Sequence, residues 1–138
     1  MDKQKSIKRL NEARGMELQV IHQYMVQHYA LDSTVGGEDA SYMKLTGVDE
    51  MRHAEKFAER IRELGGVPTT EKAGPVVANQ KQKEMYDMDV NHEELTITRY
   101  THFENELRAS GDTKSADLFK SILEEEKIHL EYFKSKQQ

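Results

Sequence analysis

The chain has 138 residues, 36% of them hydrophobic and 33% charged, with a formal net charge of -5 and no cysteine. The lack of cysteine excludes disulfides and thiolate metal sites, and the acidic balance argues against a nucleic-acid or anionic-membrane partner. No run is apolar enough to span a bilayer and "MDKQKSIKRL" is no signal peptide, so a single cytoplasmic domain over 1–138 is the expectation.

The first predicted helix covers about 3–31. Stepping about 100° per residue, Leu10, Ala13, Val20, Ile21, Tyr24 and Leu31 centre their apolar stripe on Glu17. A break near "DSTVGGEDA" leads into the second helix, about 38–64. There Met43, His53, Phe57, Ile61 and Leu64 lie within roughly 60° of Glu50. Both prolines, Pro68 and Pro75, fall in "GGVPTTEKAGPVVANQ", the one long non-helical stretch. The third helix, about 81–109, centres Tyr86, Val90, Ile97, Tyr100 and Leu107 on Glu93, and its neighbour Glu94 falls about 100° away. After "SGDT" the fourth, about 112–136, centres Phe119, Ile122, Leu123, Leu130 and Phe133 on Glu126, with His129 one turn along. Short links should fold each helix pair into an antiparallel hairpin, and the long stretch can travel the length of the bundle. The predicted fold is all-α: a four-helix bundle with one long crossover.

Each helix thus carries a glutamate at the centre of its apolar face. Glu17 and Glu50 are 33 residues apart, as are Glu93 and Glu126. An offset of 76 relates the halves, and it also maps His53 onto His129, Tyr24 onto Tyr100 and Phe57 onto Phe133. This pattern reads as a duplicated helical hairpin. Its pseudo-twofold axis would bring six ligand-type side chains to one level.

Four carboxylates and two imidazoles cannot share a core unaided. Burying one unpaired carboxylate costs several kcal/mol, and four together repel until some protonate. Two divalent cations remove both problems. A sulfur-free set of carboxylate and imidazole suits iron or manganese, with zinc as competitor. One glutamate from each of two helices plus Glu-x-x-His from the other two is the pattern of carboxylate-bridged di-iron bundles. A single acidic-x-x-His is weak evidence, and Asp89-x-x-His92 reads as a chance pair. His22, His92 and His102 have no partner pattern. His28 reads as a satisfied core or iron-route histidine. Asp49, about 100° off the stripe, reads as a solvated or cation-attracting face.

"LNEARGMELQVIHQY" followed by "VDEMRHAEKFAERIRELGGVP" resembles the first two helices of a bacterioferritin, and "ILEEEKIHLEYF" resembles its fourth. "HEELTIT" is similar to the third-helix segment of bacterial ferritins. The resemblance implies terminal carboxylates at Glu17 and Glu93, bridging carboxylates at Glu50 and Glu126, and histidine ligands at His53 and His129. It places the family's site tyrosine at Tyr24. It also implies haem b held between two subunits by Met51 from each. The family continues into a short fifth helix used at cage contacts, whereas this sequence ends at "FKSKQQ", so a dimer is expected beside the larger cage as an assembly.

The implied activity is a ferroxidase. Two Fe(II) ions would be oxidised by O2 or H2O2 for storage or detoxification, with Tyr24 orienting a ligand or supplying a proton. The alternative is a non-cage di-iron peroxidase or oxidase resembling rubrerythrin, drawing electrons from a partner protein. A third reading keeps only a structural Zn(II) or Mn(II) pair, or a helical interaction module.

Overall fold

The structure, a computed structural model, describes residues 1–34 and 37–137. Four helices account for most of them: α1 (Lys3–Thr34), α2 (Gly37–Glu63), α3 (Gln82–Ala109) and α4 (Thr113–Lys136). The boundaries fall close to those read from periodicity. The first break is shorter than expected, because α1 runs on to Thr34. The Ser33 and Thr34 hydroxyls there donate to the Ala30 carbonyl, which serves the last turn of the helix. Residues 35 and 36 of the expected link lie outside the described residues.

α1 packs along α2 and α3 along α4, with sparser contact between the two pairs. This is the four-helix bundle of two antiparallel hairpins. Glycines end the helices where the chain must turn. Gly65 (φ 86°) follows α2, and the next amide, Gly66 N–H, closes onto Ile61 O at 2.9 Å. Gly111 (φ 90°) follows α3, and Asp112 N–H closes onto Leu107 O at 2.9 Å. Both are the left-handed helix stop that a side chain resists. Asp112 then caps α4, accepting from Ser115 N–H at 3.1 Å and from Arg60 Nη2 of α2 at 2.8 Å.

The crossover climbs the outside of α1. Asn11 donates to Val67 O and accepts from Thr69 N–H. Ala73 N–H donates to Gly15 O at 2.9 Å. Gln23 both donates to and accepts from the Val77 backbone, each at 2.8 Å. Side-chain amides thereby replace the secondary structure that this stretch lacks. A Cβ on Gly15 would sit 3.2 Å from Glu71 O, so a side chain here would push the strap back by a few tenths of an ångström.

Two apolar clusters fill the bundle. One contains Leu10, Phe57, Ile61, Tyr100, Phe103, Leu107, Phe119 and Ile122. The other contains Val20, Tyr24, Leu31, Met43, Tyr86, Val90 and Phe133. The expected stripes hold except at Ile21, Ile97 and Leu130, which are only half-buried. No helix among the described residues is long and apolar enough to cross a membrane.

Candidate metal centre

The interior is not wholly apolar. Glu17, Glu50, His53, Glu93, Glu126 and His129 are all buried, none more than 3% exposed. They form two groups: Glu17, Glu50, His53 and Glu126, and then Glu50, Glu93, Glu126 and His129. Within each group one donor atom per residue lies within 4.8 Å of the others. Glu50 and Glu126 belong to both. The four helices thus bring together all six side chains picked out by angle, two of them shared between adjacent donor sets.

Their contacts are short yet do not satisfy one another. His53 Nδ1 lies 2.9 Å from Glu17 Oε2 and 3.0 Å from Glu50 Oε1. His129 Nδ1 lies 3.2 Å from Glu126 Oε1. None of these approaches has hydrogen-bond geometry. Both oxygens of Glu50 and of Glu126, Glu17 Oε2, Glu93 Oε2 and both Nδ1 atoms remain without partners. Buried polar atoms are rarely left so. A cluster of donors aimed at a common space, rather than at each other, fits cations of the carboxylate–imidazole class.

Electrostatics agree. Burial pushes the Glu17 carboxyl well above its ordinary range, and Glu50 and Glu126 add to it. Burial does the same to Glu93, helped by Glu126. Glu126 is raised to about 8, by burial and then by Glu50. For His53, burial opposes the charged ring, but Glu17 and Glu50 outweigh it and push the ring up to about 12. His129 rises to about 10 against the same opposition, through Glu126, Glu50 and Glu93. Without metal, then, protons balance the cluster's charge.

Tyr24 Oη donates to Glu93 Oε1 at 2.6 Å. Burial, and next the Glu93 charge, keep this phenol protonated. Met51 neighbours Glu50 in sequence but is 52% exposed, outside both donor groups. His28 Nδ1 bonds the Ala40 carbonyl at 2.7 Å and so ties α1 to α2. His22 and His102 are exposed. His92 and Asp89 also lie outside both groups.

Three further acidic residues stand close to the donor set or buried in the bundle beside it, although the angular reading did not select them. Asp49 is no idle surface group: its Oδ2 meets His129 Nε2 at 3.0 Å across the helix boundary. Glu125 Oε2 approaches His53 Nε2 at 3.4 Å. Asp89 is fully buried with both oxygens unpartnered, and burial holds its carboxyl well above the usual range. Its spacing of four from Glu93 was the available signal, since residues four apart share a helix face.

A family model described as a ferritin-like domain matches residues 7–137. A bacterioferritin of Desulfovibrio desulfuricans is 52% identical over 133 residues, covering 96% of this chain and 74% of that protein. A bacterioferritin of Streptomyces coelicolor is 33% identical, covering 91% of this chain and 75% of its own. An X-ray structure of the D. desulfuricans bacterioferritin, concerned with its diiron site in different catalytic states, superposes with a TM-score of 0.95. It is 52% identical and covers 96% of this chain and 78% of that one. The Mycobacterium tuberculosis bacterioferritin BfrA gives a TM-score of 0.90 at 30% identity, with 94% of this chain and 82% of that chain covered. The fold is therefore ferritin-like, and within that class the chain belongs to the bacterioferritin family.

Proposed function

We propose that this protein is a ferroxidase of the bacterioferritin type, taking up two Fe(II) ions per chain and oxidising them with O2 or H2O2 for iron storage or detoxification. The observation that carries this reading is the pair of donor groups sharing Glu50 and Glu126. In this proposal Glu50 and Glu126 bridge the two positions. Glu17 and His53 complete one, and Glu93 and His129 the other. Four carboxylates then match the charge of two divalent ions, with one neutral imidazole for each. When bound, the two ions supply one electron each to the oxidant.

The remaining work belongs to the chain. Burial excludes bulk water, so the carboxylates bind cations in preference to remaining charged and unpaired. The two histidines must shed protons as metal enters, which couples uptake to proton release. Tyr24 orients Glu93 and keeps its proton on a phenol oxygen 2.6 Å from that carboxylate. Met51, exposed on α2, is free to meet its counterpart in a second copy and hold haem b between them; this belongs to the same proposal, as does a cytoplasmic location.

Stopped-flow absorbance after mixing metal-free protein with Fe(II) and oxygen tests the reading. A fast oxidation phase should saturate at about two Fe(II) per chain and disappear in Glu50→Ala. Oxidation no faster than in buffer alone would refute it. Particle mass by light scattering separates storage from the alternative. A cage favours storage, whereas a dimer favours a peroxidase or oxidase fed by an electron-donor protein.

A further inference from the structure

Asp89 is a buried acid that the metal centre does not use. It is fully buried, and neither of its carboxylate oxygens has a hydrogen-bond partner. It stands four residues before Glu93 on the same face of α3, about 6 Å along the helix axis. It belongs to neither donor group. Its charge is felt by Glu93 and by the phenols Tyr24 and Tyr86. On Tyr24 it acts more strongly than that of Glu50. Tyr24 in turn donates to Glu93 Oε1 at 2.6 Å.

Away from the centre, amides lead outward. Gln27 Nε2 donates to Gln80 Oε1 at 3.1 Å, while Gln27 Oε1 is buried without a partner. Gln23 Nε2 reaches the same Gln80 oxygen at 3.3 Å. Gln80 is half-buried at the end of the crossover, just before α3 begins. A line of polar groups thus runs from Glu93, through Tyr24, Asp89 and Gln27, to the edge of the bundle. A lone carboxyl among phenols and amides suits a proton better than a metal ion. A divalent cation there would leave net charge in the core, and a proton leaves none. Burial raises the Asp89 carboxyl well above its usual range, with Gln27 pulling the other way.

The reaction needs such a proton. Two Fe(II) lose one electron each. O2 takes two electrons and two protons to become H2O2, and H2O2 takes two of each to become two waters. The burial that keeps bulk water from the centre also keeps out its protons, so a donor has to stand inside. Resting on the ferroxidase reading, we propose that Asp89 is the proton reservoir of this reaction, feeding the oxidant through Tyr24 and Glu93 and refilled from solvent past Gln27 and Gln80. The Asp89 O–H breaks as the Tyr24 oxygen gains its proton, and the proton Tyr24 held passes to the Glu93 carboxylate and on to the oxidant. Asp89 and Tyr24 are not hydrogen-bonded to each other, so one bridging water carries the proton between them. Asp89, left as carboxylate, takes a proton from solvent, and a second passage supplies the other proton.

Asp89→Asn keeps the shape and removes the proton. Full-length metal-free protein carrying carbon-13 at its aspartate carboxyls should show, in the infrared at pH 7, the isotope-shifted carbonyl band of a protonated carboxylic acid. Asp89→Asn should lack it. Asp39, Asp87 and Asp112 are held below their usual range and do not contribute. Stopped-flow oxidation of Fe(II) by O2 should be about tenfold to a hundredfold slower in Asp89→Asn, and the wild-type fast phase should slow in D2O. Zn(II) affinity by calorimetry should match in the two proteins. A wild type without the band, or a variant as fast as wild type, would overturn the relay and leave the ferroxidase reading standing. A variant that loses Zn(II) affinity would make Asp89 structural, and loss of a further Zn(II) beyond two would make it a metal ligand; either overturns the relay. Absence of fast oxidation in wild type would overturn both readings.

Discussion

Glu126 is the residue at which the conflict between folding and function is sharpest. It is fully buried, its oxygens have no hydrogen-bond partner, and burial and Glu50 raise it to about 8. A carboxyl raised in the folded state contributes stability below its ordinary value of 4.5. That contribution is lost as pH climbs through about 8. Glu126→Gln removes the liability. Metal-free Glu126→Gln should therefore melt higher than metal-free wild type at pH 8.5, by about 3 °C or more, and the gap should close toward pH 4.5. Zn(II) should raise the wild-type melting temperature and hardly move the variant's. Scanning calorimetry with and without Zn(II) reads both effects. A variant less stable than wild type in the metal-free state would show that Glu126 is structural instead.

The helices show how local chemistry carries such a burden. Asp112 begins α4, and Arg60 of α2 is clamped on it at 2.8 Å while also donating to Ser115 Oγ at 2.9 Å. Burial opposes the Asp112 charge, but the Ser115 and Arg60 hydrogen bonds help to outweigh it and hold its carboxyl below 3.8. The cap and its cation are both shielded, with Arg60 only 12% exposed. Asp112→Ala should lose the cap and strand the guanidinium, costing about 2–3 kcal/mol in urea unfolding at neutral pH. A lowered carboxyl stabilises above its ordinary value and stops doing so as pH falls through the folded one. The difference between Asp112→Ala and wild type should accordingly shrink below pH 3.8. Glycine stops at Gly65 and Gly111 and the strap across Gly15 set helix ends and crossover path, and with them the level at which the four glutamates meet.

At the scale of the whole molecule, two apolar clusters hold the bundle and the buried donor set couples it to protons and metal. His53 and His129, raised to about 12 and 10, are charged at neutral pH before metal binds. Ligation needs them neutral, so at least two protons must leave. Zn(II) titrations at pH 7 in buffers of different ionisation enthalpy should report that release, and affinity should rise from pH 6 to pH 8. A pH-independent affinity would contradict the metal reading. The stripe-centred glutamates and the two Glu-x-x-His spacings were legible in the sequence because a residue's angle on its own helix follows from counting. Asp49 was not: about 100° from its own stripe, it gains meaning only because α4 packs on that side and presents His129.

What the sequence by itself determined is the set of four amphipathic helices, the hairpin–crossover–hairpin order and the six inward donors, since periodicity and spacing are properties of one element or of a repeat. Only the tertiary structure decided that Tyr24 reaches the Glu93 carboxylate, that Asp49 meets the His129 imidazole and that Asp89 is sealed without a partner. Those outcomes depend on the rotation and axial shift of one helix against another. A repeat in sequence constrains each helix alone, and ångström-level differences in packing decide whether a hydrogen bond forms.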